Sequence, residues 1–122
     1  MNKLTGFFKL LSDETRLRIL VLLFHKEYCV CEIYGILEES QPKVSKHLAK
    51  LRDIGLVKVK RREQFFYYEL TLENALFQEI LQGIVRNIES YPVLQRDSER
   101  SKEANVYLES CAIKTSWILE KS

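Results

Sequence analysis

Cys29 and Cys31 stand one residue apart, and eleven residues after Cys31 begins the string Pro42-Lys43-Val44-Ser45-Lys46-His47-Leu48. Cysteine thiolates are the ligands that soft, thiophilic ions select. A basic helix is the element that fits the major groove of duplex DNA. The adjacency implies a soft-ion site whose deformation reaches a DNA-reading segment. Cys111 is the third and last cysteine of the chain. It is either a further ligand or core filling, since an isolated cysteine in an amphipathic helix packs as a small apolar residue.

The spacing of the pair also implies a mechanism. Residues two apart on a regular helix point about 200° away from each other, so two sulfurs on one helical turn meet one ion only if that turn unwinds.

Length and charge bound what can surround these residues. The 122 residues, 46% of them apolar, fit one compact domain with a core. The longest apolar run, Ile19 to Phe24, has six residues, far short of the roughly 18 needed for a membrane span. No uninterrupted apolar leader follows Met1, so the expected setting is cytoplasmic with no membrane partner, and the cysteines are expected reduced. The net charge is only +2, but Gln41 to Arg62 holds eight basic residues against the single acid Asp53. Such segregation is the electrostatic footprint of a polyanion binder, or of an ordinary solvated face.

The elements that position these groups follow from periodicity. A first helix ends near Leu11, and Ser12 is the expected N-cap of a second helix that turns Leu17, Leu20, Val21 and Phe24 inward. A third helix spans about Cys31 to Glu38. A fourth starts at Gln41 to Lys43, capped by Ser40 or Gln41, with Pro42 tolerated in its first turn. At 100° per residue, Val44, Leu48, Leu51 and Gly55 share a core face, while Lys43, Lys46 and Lys50 share a basic one. Gly55 stops this helix. Leu56 to Lys60 and Phe65 to Leu70 then read as a basic β-hairpin whose turn, Arg62-Glu63-Gln64, lacks the usual glycine.

Tandem helices followed by a basic hairpin make a winged helix-turn-helix, mainly α with one hairpin. The expected contacts to double-stranded operator DNA are Gln41, Lys43, Ser45, Lys46, His47 and Lys50 from the fourth helix and Lys60, Arg61 and Arg62 from the wing. Gln41 doubles as a cap candidate and His47 as a packing residue. After the wing, Leu72 to Ile88 carries a broad apolar surface, and Leu76, Ile80, Ile84 and Ile88 are the expected dimer interface. Tyr91-Pro92 is expected to break that helix. A last helix, about Ser98 to Lys121, contains Val106, Leu108, Ile113, Trp117, Ile118 and Leu119. Residues 1–90 thus form the DNA-binding and dimerisation domain, and 91–122 its C-terminal helical extension.

Three strings carry a resemblance in order: Ser12-Asp13-Glu14-Thr15-Arg16-Leu17-Arg18-Ile19-Leu20, Cys29-Val30-Cys31-Glu32-Ile33, and Ser40-Gln41-Pro42-Lys43-Val44-Ser45-Lys46-His47-Leu48 with Leu51-Arg52-Asp53-Ile54-Gly55-Leu56-Val57. Together they resemble the ArsR/SmtB family of metalloregulators over about residues 4–88, and most closely its arsenic-responsive repressors. The resemblance implies a homodimeric repressor of metal(loid)-resistance genes that leaves its operator when an ion binds. Arsenite or antimonite is the implied inducer, with cadmium and lead as alternatives, and no organic cofactor is implied. In the family's arsenite repressors the thiol region resembles Cys-Val-Cys-Asp-Leu-Cys, and Tyr34 stands where the third cysteine falls. Cys29 and Cys31 are then the implied ligands, with Cys111 the one remaining source of a third sulfur.

Other chemistry is poorly supplied. Leu72 to Tyr91 has no His and no Asp, so the family's other ligand plan, on the helix after the wing, is absent. His25 precedes the cysteine pair by four residues and reads as a solvated helix end. No phosphate loop, HExxH or GxSxG string occurs, and no cysteine opens an anion-cradling loop. An enzyme is not expected. The nearer rival is a thiol redox sensor on the same scaffold, pairing Cys29 or Cys31 with Cys111.

Overall fold

The computed structural model describes residues 3–108. Of the sequence-based expectations, Cys111, Ile113, Trp117, Ile118 and Leu119 lie outside them. The elements run α1 (Lys3–Leu11), α2 (Glu14–His25), β1 (Tyr28–Cys29), α3 (Val30–Leu37), α4 (Gln41–Asp53), β2 (Val57–Arg62), β3 (Phe65–Leu70), α5 (Ala75–Arg86) and α6 (Pro92–Ser101), with a 3-10 turn at Ile88–Ser90. The winged helix-turn-helix is formed by α3, α4 and the β2–β3 hairpin.

The second helix is capped by Asp13 rather than Ser12. The Asp13 carboxylate accepts from the Arg16 N–H at 3.0 Å, while the Ser12 hydroxyl turns back to the Lys9 carbonyl. The core face of α2 is also wider than one stripe. Ile19, Leu20, Val21, Leu22 and Leu23 are all buried, whereas Leu17 and Phe24 are only half-buried. The reason is that α1, α3, α4, α5, α6 and β3 all pack around α2, and a helix covered on several sides buries more than one face.

On α4 the periodic reading holds for Val44, Leu48 and Leu51, which are fully buried, but not for Gly55, which lies past the end of the helix. Gly55 is exposed at φ +82° in the turn beyond the helix, where the left-handed backbone favours glycine. The hairpin forms without a glycine because Glu63 itself takes φ 56°, a conformation that L-residues adopt at some cost.

A short strand unseen in the sequence, β1, adds to the hairpin and gives an antiparallel sheet of order β1-β3-β2, with Cys29 opposite Tyr67. The post-wing helix starts at Asn74, whose side chain accepts from the Phe77 N–H, and stops at Asn87. Ile88 therefore sits in the 3-10 turn rather than on the helix. Pro92 opens α6 at a first-turn position instead of merely ending α5. The last helix thus begins earlier than Ser98, and after turns at 102–105 the chain is helical again at 106–108. Leu94 and Ala104 join the same core as α2, α3 and α4.

Candidate nucleic-acid interface and thiol site

Lys43, Lys46 and Lys50 are exposed on the face of α4 opposite its core residues, while Gln41 and Ser45 are partly exposed. Ser40 caps the helix, its hydroxyl accepting from the Lys43 N–H at 3.4 Å, which leaves the Gln41 side chain out of the capping role. His47 does not share the basic face. Its Nε2 lies 3.9 Å from Asp13 Oδ1, and burial, aided by Arg16, Lys43 and Lys46, holds its pKa below the ordinary value.

In the wing, Lys60, Arg61 and Arg62 are exposed, but two of the three have acid partners. Glu69 lies between Lys58 (2.8 Å) and Lys60 (3.0 Å), which hold its carboxyl below the usual range. Arg62 pairs with Glu27 and lies over the Tyr67 ring, 4.8 Å from its centroid. Arg61 Nε donates to its own turn at the Glu63 carbonyl. Lys43 in turn pairs with Glu39 at 3.2 Å. Sequence reasoning missed these acids. Glu39 precedes Lys43 by one helical turn, and Glu69 is the cross-strand partner of Lys58, so hairpin register was the signal for the latter.

The thiol site lies where three elements meet. Cys29 ends β1 and is the N-cap of α3, with extended backbone at φ −66° and ψ 149°. Its sulfur faces the N–H groups of Cys31, Glu32 and Phe66, and its own N–H donates to Glu32 Oε1 at 2.8 Å. Burial is the larger effect and pushes the Cys29 thiol up, with the Glu32 carboxylate adding to it. Burial likewise raises the Glu32 carboxyl. Only Cys31 is helical, so the 200° separation expected of two helical residues does not apply; Cys29 stands outside the turn, and the pair needs no unwinding for that reason alone.

The two cysteines form a small buried cluster edged by Val30, Tyr34, Phe65, Tyr67 and Leu108. Cys31 is engaged in a disulfide, which departs from the expectation that every cysteine is reduced. Among the described residues no cluster of three His, Cys, Asp or Glu side chains is arranged to hold a metal ion. Cys29 and, once its disulfide is reduced, Cys31 supply two sulfurs of the soft type, and any three-sulfur site needs one from elsewhere.

On α5, Phe77 and Leu81 are buried, and Phe77 stacks on Phe7 of α1 with ring centroids 4.0 Å apart. Leu76 is exposed, and Ile80, Ile84 and Ile88 are half-buried at the edge of the core. Leu4 and Phe8 of α1 are exposed as well. No helix among the described residues is long and apolar enough to cross a membrane.

This arrangement, a basic helix presented by a helix-turn-helix with a basic wing beside it, defines a winged-helix transcription regulator. Residues 13–59 match the family described as bacterial regulatory protein, arsR family. The arsenical resistance operon repressor of Escherichia coli is 39% identical over 94 residues, covering 66% of this chain and 80% of that one. The chain belongs to the ArsR family and is a regulator rather than an enzyme. Arsenic resistance transcriptional regulator ArsR1 of Pseudomonas putida is 44% identical over 80 residues, 64% of this chain but only 62% of that relative's length. Among solved structures, reduced HlyU from Vibrio cholerae matches with a TM-score of 0.59 and 34% identity, over 65% of this chain and 81% of that one.

Proposed function

We propose that two copies of this chain form a repressor of metal(loid)-resistance genes. In this reading the dimer binds double-stranded operator DNA through α4 and the wing, and leaves it when Cys29 and Cys31 hold arsenite or antimonite. Lys43, Ser45, Lys46 and Lys50 meet the groove and phosphates, with Gln41 at the helix start and Lys60, Arg61 and Arg62 from the wing. His47 acts indirectly, by packing α4 on the start of α2.

The observation that carries the reading is the place of Cys29. One residue is at once the N-cap of the helix that leads into α4 and the strand partner of Tyr67 in the wing. An ion held there has a mechanical hold on both DNA-contacting elements, and it favours whichever state of them fits its ligand geometry. A thiol reductant first returns Cys31 from its disulfide to the thiol, and each thiol that then replaces a hydroxyl on arsenite releases one water. A third sulfur, or a retained hydroxyl, completes the trivalent centre, and Cys111 is the third-sulfur candidate.

A second reading is favoured by the disulfide at Cys31. In it the same scaffold senses oxidants, and thiol oxidation takes the place of the ion.

Dimerisation follows from the requirement that paired recognition helices match half-sites about one DNA turn apart. Leu76, Ile80, Ile84 and Ile88 of the α5 region, with Leu4 and Phe8, supply the apolar face. A stable monomer at micromolar concentration in sedimentation would remove that part of the proposal.

Titrating the purified protein on labelled operator DNA, with arsenite and separately with a mild oxidant, tests the rest. Arsenite-driven release that Cys29→Ser abolishes supports the ion reading. Release by oxidant alone replaces it with the redox reading, and release by cadmium or lead but not arsenite changes only the ion.

A further inference from the structure

The helix-turn-helix owes its geometry to side chains that come from outside it. Among the last carbonyls of α3, that of Gly35 accepts from the Glu38 N–H just past the helix at 3.3 Å, while those of Ile36 and Leu37 have no partner within their own helix. Arg18, buried on α2, donates through Nη2 to the Leu37 carbonyl at 2.7 Å. Arg100, on α6, donates through Nε to Ile36 and through Nη2 to Gly35, each at 2.8 Å. Arg100 also pairs with Glu38 at 2.7 Å. Glu38 opens the turn into α4 at φ 55°, a left-handed conformation that a residue with a Cβ holds only when its surroundings impose it.

The same α6 also fixes Arg18. Asp97 accepts from Arg18 Nε and Nη2, both at 2.8 Å, in a buried bidentate pair. Arg18 Nη1 reaches Glu39, and Glu39 reaches Lys43 in the first turn of α4. Beyond α6, Tyr107 lies across Gly35 so closely that a Cβ there would meet the ring at 2.4 Å, and its hydroxyl accepts from Arg100. A chain of charge-assisted contacts therefore runs from α6 through α3 and its turn to the start of α4.

We propose that α6 is a brace for DNA reading, in which Arg100, acting directly, and Asp97, acting through Arg18, are positioning residues that set the angle between α3 and α4. This deepens the DNA-binding reading above and rests on it. Neither residue lies on α4 or the wing, so loss of the brace lowers the fraction of molecules whose α3–α4 angle fits DNA, while the bound complex keeps every phosphate contact. That gives a signature distinct from a contact residue: lower affinity at an unchanged salt dependence. It also differs from a purely structural role, in which the folded fraction falls while folded molecules bind as before.

The experiment measures binding of the full chain to fluorescein-labelled duplexes tiled across the segment upstream of its own gene, over a range of salt. Arg100→Gln and Asp97→Asn are expected to weaken binding by roughly fivefold or more, with the slope of log affinity against log salt unchanged. Arg100→Lys should recover part of the loss, because an ammonium still donates to one carbonyl. Arg100 is partly exposed, so its variants test the brace even if Asp97→Asn fails to fold. Affinity within about twofold of wild type in folded Arg100→Gln overturns the proposal, as does a slope reduced by about one, which marks a direct phosphate contact. A wild-type chain that binds none of the duplexes overturns the DNA reading and the brace with it.

Discussion

Cys29 lies directly opposite Tyr67 across the β1–β3 ladder, and the Arg62 guanidinium covers the Tyr67 ring. The thiol that caps α3 is thus one strand away from a basic residue of the wing. On the proposed reading, an event at Cys29 acts on the wing through this backbone pairing as well as on α4 through α3.

Replacing Cys29 with serine keeps the size of the side chain and its ability to cap a helix, but a hydroxyl is a far poorer ligand for a soft ion. Cys29→Ser should retain operator affinity within a few-fold while losing at least tenfold in arsenite affinity, about 1.4 kcal/mol. Fluorescence anisotropy of labelled operator under arsenite titration measures both. Retained arsenite release in this variant would take Cys29 out of the ligand set.

Lys46 and Lys50 have no acid partner within 4.0 Å among the described residues, unlike Lys43, Lys60 and Arg62. They are therefore the cleanest test of the α4 face. The double variant Lys46→Ala, Lys50→Ala should weaken binding to all duplexes alike and lower the salt slope by about one unit per lost phosphate contact. An unchanged slope would move the DNA surface elsewhere.

How much of this was legible in the sequence depended on whether a feature repeats. The face of α4 was readable because Val44, Leu48 and Leu51 recur at helical spacing with lysines opposite, and the hairpin because its apolar residues alternate. β1 was not, since a two-residue strand has no period. The start of α6 was misplaced because Pro92 fits both a helix breaker and a first-turn residue, and Tyr91 and Pro92 gave no apolar stripe to decide between them. The cap of α2 fell to Asp13 over Ser12 by one position, a choice set by backbone geometry. Contacts such as Arg18 with Asp97, 79 residues apart, have no local signature at all. The thiol pair was visible by type and spacing, but its position outside the first turn of α3 was not.

The contact between His47 and Asp13 makes a pH prediction. Burial holds His47 below its ordinary pKa of 6.5, and the Arg16 N–H holds Asp13 below its ordinary 3.8. Both folded-state values are depressed, so the unfolded chain binds more protons and stability rises with pH through each range. The His47 contribution is complete above about pH 6.5 and is lost as pH falls through the depressed value; that of Asp13 goes at lower pH. The urea midpoint should therefore drop between about pH 7 and pH 5. His47→Gln should flatten that part of the curve while leaving the more acidic fall in place. A His47→Gln curve with the wild-type slope in this window would assign the fall to other groups.

The third sulfur is decided by Cys111. Leu108 packs against the Cys29 and Cys31 cluster, and three further residues span at most about 10 Å of chain. Cys111 is thereby within chain reach of the pair in its own subunit, with no need for a contribution across the dimer. If it completes a three-sulfur site, Cys111→Ser should lower arsenite affinity, and X-ray absorption should show three As–S contacts falling to two. Mixed dimers, one subunit carrying Cys29→Ser and the other Cys111→Ser, separate the two origins: ligands drawn from one subunit leave no intact site, whereas crossed ligands leave one of two. An arsenite response in Cys111→Ser equal to wild type would assign the ion to two thiolates with a hydroxyl or a small thiol as the remaining ligand. A variant that keeps its arsenite response but loses release by oxidant would instead give Cys111 to the disulfide chemistry of Cys31.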